Sequence, residues 1–227
     1  MDQTPVHNKH NADLLSLIPT GASKLIEIGA SSGALAREFK KVSPSCHYIG
    51  VEIDPHYTEL AKRYCDETHC LNIEQVDSGF WAQHRDRDCW IFGDTLEHLT
   101  DPWKVLASIR SVIPANGSVV VCIPNAQHWS ILVKLSVGDF RYKDRGLLDR
   151  THLRWFTRQT MIEMFQQAGF KLDRGLPRVF SEPMRDKFLP AIEQLARLAG
   201  ADPATAVRDA LPQQFVMRAV PDPNEKI

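Results

Sequence analysis

The chain reads as an α/β protein with a doubly wound, mainly parallel sheet, and three observations predict it. An apolar run, Leu25-Ile26-Glu27-Ile28, ends in a turn holding Gly29 and Gly33 and passes directly into a helical pattern. Strand-like and helix-like segments then alternate as far as Pro124. At 227 residues and 43% hydrophobic content, the chain suits one domain, residues 1–227, with a sizeable core.

In order, residues Met1 to Asn11 read as loose, and Ala12 to Ile18 as a short helix stopped by Pro19. The first strand, its glycine turn and the helix Ala34 to Lys41 follow. His47 to Asp54 forms a second strand, and Pro55 opens a helix that runs through Arg63. Cys70 to Ile73 reads as a short third strand and Cys89 to Gly93 as the fourth. A helix from Pro102 to about Val112 and the turn Pro114-Ala115-Asn116-Gly117 lead to a fifth, β-branched strand, Ser118 to Ile123. Beyond Pro124 the alternation stops. Residues 124–157 mix aromatics, basic residues and glycines, as expected of a cap over a site. In the C-terminal part, residues 158–227, an amphipathic helix ends at Gly169, Phe170 to Leu172 enters a late strand, Met184 to Leu198 is helical and Gln214 to Val220 is the final strand. Residues 1–23 are an N-terminal segment and 24–123 the ligand-binding half.

Composition excludes several classes. A formal net charge of −1 leaves no electrostatic footprint for a long nucleic acid or an anionic membrane. The five cysteines, Cys46, Cys65, Cys70, Cys89 and Cys122, contain no C-x-x-C pair, so reduced thiols in a cytoplasmic protein are expected. The N-terminus is polar, no apolar run is long enough to span a bilayer, and there is no internal repeat.

Ligands of open α/β sheets bind beyond the carboxyl ends of the strands, so the Gly29 to Gly33 loop should floor a binding site. Its pattern is E-x-G-x-x-x-G. Glu27 stands where a dinucleotide fold would carry glycine, and a carboxylate there repels phosphate and suits a cation. About twenty residues on, Glu52 is placed to accept a ribose hydroxyl, while Asp54 fits a helix cap. This spacing resembles the first motif of class I S-adenosylmethionine-dependent methyltransferases. The resemblance covers about Lys24 to Leu172. It implies a Rossmann-like sheet of seven strands with the last one antiparallel, and a small cap insert. It also implies S-adenosyl-L-methionine as cofactor, bound by Glu27, Gly29, Ala30, Ser31 and Gly33 of the loop. Glu52 and Ile53 would take the ribose side, Asn72 and Ile73 the adenine, and Gly93 and Asp94 the reactive end.

Methyl transfer from a sulfonium is an in-line displacement, and a hydroxyl acceptor must also lose its proton to a base or be acidified by a metal. Asp94, Glu97 and His98 fall at i, i+3 and i+4 of an expected helix start, on one face. His152 lies in the later run Asp149-Arg150-Thr151-His152-Leu153-Arg154-Trp155-Phe156-Thr157. Two carboxylates and two imidazoles form a candidate site for a divalent ion (Mg, Mn, Fe or Zn). The D-x-x-E-H element with a later histidine resembles the metal-dependent small-RNA methyltransferases that modify a terminal ribose 2′-hydroxyl. Those carry Glu where this chain has Asp94, which shortens one ligand. L-E-H-L is shared with the ubiquinone-pathway O-methyltransferases. The run Ile123-Pro124-Asn125, Gly146 to Arg150 and T-H-L-R-W-F-T is similar to bacterial methyltransferases found among glycan and secondary-metabolite genes. Without a metal, His98 or His152 becomes the candidate general base, with Asp94 and Glu97 serving only the helix end.

The cap stretch supplies candidate acceptor contacts: His128, Trp129, Arg141, Tyr142, Arg150, Arg154 and Trp155, with arginines for an anionic group and aromatics to stack on a ring. The alternative is a cap helix whose aromatics are core and whose basic groups face water; a mixture is favoured, with Trp129 and Trp155 partly buried and one or two arginines on the acceptor. The expected activity is O-methylation of a hydroxyl on a small polar acceptor, a sugar, nucleotide or glycan precursor. Metal-free methylation of an amine or carboxylate is the second reading, and non-catalytic binding of the cofactor the third. A homodimer is a candidate assembly that the sequence does not decide, and no membrane partner is expected.

Overall fold

In the computed structural model, which describes residues 8–225, seven strands form one sheet in the order β3-β2-β1-β4-β5-β7-β6. The strands are β1 (Lys24–Ile28), β2 (His47–Glu52), β3 (Glu67–Cys70), β4 (Cys89–Gly93), β5 (Ser118–Pro124), β6 (Phe170–Arg178) and β7 (Gln214–Pro221). Pairing is parallel from β3 to β5, and β7 runs antiparallel between β5 and β6. The Rossmann-like architecture expected from the sequence is the one found. Reversal of strand order beside β1 leaves a crevice between β1 and β4, above the glycine loop.

Alternation along the central strands sorts the interior into two cores. Leu25, Ile91, Val120 and Val216 face one side with Phe39 and Tyr48, whereas Ile26, Trp90, Val119 and Met217 face the other with Phe165. Helices α2 (Ala34–Val42) and α3 (Pro55–Ala61) lie on the first side, and α5 (Pro102–Val112) and α7 (Arg158–Gln167) on the second. The first side also receives α1 (Ala12–Leu17). Asn11 caps that helix by accepting from the amides of Asp13 at 3.1 Å and Leu14 at 3.2 Å, so the expected looseness ends before it. The rest of that expectation, residues 1–7, lies outside the described residues.

The third strand is a correction. It occupies Glu67–Cys70 and not Cys70 to Ile73, and Asn72 caps a single 3₁₀ turn, Ile73–Gln75, by accepting from the Glu74 amide at 2.9 Å. β3 is the sheet's edge, only half-covered, so its polar residues Glu67, Thr68 and His69 carry no apolar signal. Two helices lie where none was expected, α4 (Ser78–Gln83) and α9 (Pro203–Ala210), and α6 (Trp129–Ser136) is the cap helix that the alternative reading of this stretch allowed. Together with α8 (Arg185–Leu198), α6 and α9 bury Trp129, Ile192 and Ala210 in a separate small core, which is the cap. Asn125 joins it to the sheet: it is wholly buried and its amide donates to the carbonyls of Asp209 and Pro212, both at 2.8 Å. All five cysteines are free, four buried and Cys70 exposed, and among the described residues no helix is long and apolar enough to cross a membrane.

Candidate active site

The glycine loop folds as a strand-to-helix turn. Gly29 and Gly33 have φ of 78° and 74°, and Ser31 shares the left-handed region at 47°. A side chain at Gly29 would sit 2.5 Å from the Thr95 hydroxyl, which itself bonds the Ile28 carbonyl at 3.0 Å. Glycine there lets the loop after β4 close against the end of β1. Gly33 instead abuts Ala61 of α3, so it serves helix packing.

Under this loop Glu27 is buried and its Oε2 accepts from the Tyr48 hydroxyl at 2.9 Å. Burial pushes its pKa up to about 8, the Tyr48 bond works against that, and the charge on Glu52 adds to it. Glu52 spans the loop: one oxygen accepts from Ser31 N at 2.8 Å, the other from Ile53 N at 2.8 Å and Asp54 N at 3.2 Å. Asp54 caps α3, accepting from His56 N and Tyr57 N. Ile53 projects outward, 47% exposed, whereas Ile73 is buried.

At the end of β4 the chain makes no α-helix. Asp94 takes a left-handed φ of 54°, Thr95 turns the chain, and Leu96–His98 is one 3₁₀ turn. The one-face spacing expected for Asp94, Glu97 and His98 is therefore replaced by a different geometry. Gln214 of β7 donates to Asp94 Oδ1. Glu97 turns inward, 1% exposed, and neither of its carboxylate oxygens has a hydrogen-bond partner among the described residues. Both histidines face it instead. His98 Nε2 and His152 Nε2 each lie 4.0 Å from Glu97 Oε1, the two rings are 4.9 Å apart, and the ligating atoms of all three residues fall within 4.8 Å of one another. Asp94 is not a member of this trio.

The loop after α6 brings His152 there. Leu153 N and Arg154 N both donate to the Glu97 carbonyl, at 2.8 and 3.0 Å, and the Arg154 guanidinium donates to the Thr100 carbonyl. Buried Asp149 accepts from Thr151 N at 2.8 Å and Thr151 Oγ1 at 2.7 Å, and the Thr151 carbonyl takes His98 Nδ1 at 3.1 Å. A proton on His98 Nδ1 satisfies that bond and leaves the Nε2 lone pair aimed at the trio's centre. His152 is bonded to the Leu147 backbone. Burial lowers His98, and burial reinforced by His98 lowers His152 to about 4, so both rings are neutral at pH 7. Burial, with Asp94 adding to it, pushes Glu97 well above the usual carboxylate range.

The acceptor candidates separate. Trp155 packs on His152, centroids 5.6 Å apart, and on Phe140, placing it at the site's rim. Tyr142 is 58% exposed beside Phe140. Arg141 pairs with Asp139 and Arg150 with Asp144, at 2.7 and 2.6 Å. His128 and Trp129 belong to the cap core: His128 Nε2 lies 3.1 Å from Glu182 Oε2, and Trp129 Nε1 donates to the same oxygen at 2.6 Å. Glu182, Thr95, Tyr48 and Thr151 escaped the sequence reading. Only Thr151, inside the quoted D-R-T-H run, carried a signal.

A family model described as a methyltransferase domain matches residues 6–174. The chain belongs to that family. The fold of this methyltransferase domain is also that of solved S-adenosylmethionine-dependent methyltransferases. A protein described as one, from Listeria monocytogenes, superposes with a TM-score of 0.62 at 11% identity, covering 93% of this chain and 97% of that one. An O-methyltransferase of a Brevibacillus brevis polyketide synthase, in complex with S-adenosyl-L-homocysteine, gives 0.61 at 13% identity, covering 95% and 72%. At such identities the likeness is one of fold. A relative from Bifidobacterium longum, named as a polyamine aminopropyl transferase, is 28% identical over 106 residues, 44% of this chain and 24% of that protein's length.

Proposed function

We propose that this methyltransferase domain uses S-adenosyl-L-methionine to methylate a hydroxyl of a small polar acceptor, with the proton handled at Glu97, His98 and His152. One observation carries the reading: a fully buried carboxylate without a hydrogen-bond partner among the described residues faces two neutral imidazoles. A buried polar group left unpaired costs about 1–3 kcal/mol, so the arrangement asks for something that binds it. The donor set, one carboxylate and two imidazoles with open positions, fits a divalent ion. It suits Zn, Mn or Fe better than Mg, which prefers oxygen ligands. When bound, such an ion supplies acidification of a coordinated hydroxyl at neutral pH.

The chain's own residues do the rest. Glu27 receives the donor's ammonium end beneath the glycine loop, and Glu52 offers its remaining lone pairs to the ribose hydroxyls. Ile53 flanks the adenine, with Asn72 and Ile73 on the same side. Thr95 and Gly29 hold the loops that bring the donor's methyl toward the trio. Asp149 and Thr151 fix the His98 tautomer. Trp155 screens the centre from water, which favours the in-line displacement.

Two measurements test the reading. Calorimetry with S-adenosyl-L-homocysteine should give saturable binding; its absence would remove the donor assignment. Zinc titration against a chromophoric chelator should show one tight site, weakened at least tenfold by Glu97→Gln and by His152→Ala while homocysteine-nucleoside binding persists. Methyl transfer indifferent to a chelator would transfer the proton to His98 or His152 acting as general base.

A further inference from the structure

The cap carries an open cavity of about 230 Å³ between α6 and the loop that leads to His152. Its floor is apolar, with Ile131 and Leu148 buried, and Lys134, Lys143 and Arg145 stand around it. Leu147, a wall of this cavity, is also the residue whose backbone bonds His152, so one short loop serves both.

The charges around it are unevenly satisfied. Of the cap's basic residues, Arg141 and Arg150 are tied to Asp139 and Asp144, and Arg154 to the Thr100 carbonyl. Lys134 shares Asp139 with Arg141, at 3.5 Å. No ion pair is formed by Lys143 or Arg145 among the described residues, and both border the cavity. In a chain of formal net charge −1, two cations without an ion pair among the described residues, around an apolar floor on the loop that leads to His152, form a local positive field that the fold itself does not consume.

We propose that this cavity is the acceptor's anion subsite, and that it takes a phosphoryl-type dianion held by Lys143 and Arg145. Two positive heads that the fold leaves without a counter-charge match a dianion better than a single carboxylate. Arginine can take phosphate through two parallel hydrogen bonds, and lysine acts as a point charge. The acceptor class narrows accordingly to a phosphorylated sugar or nucleotide, with its anionic group in the cavity and its hydroxyl toward Glu97, His98 and His152. This inference rests on the acceptor reading above. It replaces Arg141, Arg150 and Arg154, which the fold engages elsewhere, with Lys143 and Arg145.

The test uses the full chain with inorganic phosphate and pyrophosphate as probes, acetate as the monoanion control, and S-adenosyl-L-homocysteine binding as the check on fold and donor site. Phosphate or pyrophosphate should bind, acetate should bind at least tenfold more weakly, and the affinity should fall as salt rises. The double variant Lys143→Ala/Arg145→Ala should lose at least tenfold in phosphate affinity and keep its homocysteine-nucleoside affinity, while Arg150→Ala should change neither. Equal phosphate affinity in the double variant, or no phosphate binding by the parent protein, overturns the subsite. Loss of homocysteine-nucleoside binding in the parent would instead count against the donor assignment, so the two failures are distinguishable.

Discussion

Glu27 shows how one buried carboxyl can couple the donor to pH. Its folded pKa of about 8 lies well above the ordinary 4.5, so at pH 7 it holds a proton in the ligand-free chain. A cation brought against it favours the ionised form, so donor binding expels that proton. Affinity for S-adenosyl-L-homocysteine, which keeps the ammonium, should therefore rise between pH 6.5 and 8, by up to about tenfold per pH unit. Calorimetry in buffers of different ionisation enthalpy should register the released proton. Glu27→Gln should abolish the dependence, and a parent protein whose affinity is flat across that range would separate Glu27 from the donor. Gly29 makes a steric counterpart. Gly29→Ala adds a Cβ 2.5 Å from the Thr95 hydroxyl at a φ of 78°. The left-handed conformation alone costs about 1–2 kcal/mol, and the clash adds to it. Thermal unfolding should place the variant clearly below the parent, with homocysteine-nucleoside binding weakened.

Among the elements, the loop of residues 149–154 matters most, because it is held by the site it completes. Leu153 and Arg154 clamp it to the Glu97 carbonyl, while Asp149 and Thr151 fix His98. Partners that orient a ligating histidine typically contribute 10–100-fold to metal affinity. Asp149→Ala should cost zinc affinity by about that factor, read by chelator competition, and leave the donor site intact. An unchanged zinc affinity would reduce Asp149 to a loop brace. The 3₁₀ turn Leu96–His98 matters equally, since an α-helix there would leave Glu97 elsewhere. Its sequence read as a helix start and did not announce this turn. The motif residues were legible; the backbone that aims them was not. His152 and Glu97 are 55 positions apart in sequence numbering and meet only because α6 and its loop fold back over β4.

Across the whole molecule, buried titrating groups pull in opposite directions. His84 and His152 are both lowered to about 4, burial being the first cause in each, against 6.5 in the unfolded chain. Their stabilisation is complete above pH 6.5 and fades as pH falls toward 4. Glu27, raised to about 8, stabilises below 4.5 and loses that contribution as pH rises toward 8. Above 6.5 the contributions of His84 and His152 are complete, so the melting temperature of the chain free of donor and metal should decline between 6.5 and 8. Glu27→Gln should lessen the decline, with Glu97, also raised by burial, supplying the rest, and a melting temperature that climbs there in the parent would contradict the burial argument.

What the sequence by itself determined is the alternating α/β order, the glycine turn, the cap of α3 at Asp54 and the residue types of the trio, because hydrophobic period and turn chemistry are local. Tertiary structure alone decided the position of the edge strand β3, the helical cap and the separation of Asp94 from Glu97, His98 and His152. It also decided which cap cations form no ion pair among the described residues. Each of these depends on contacts between segments distant along the chain, and such contacts leave no periodic trace in it.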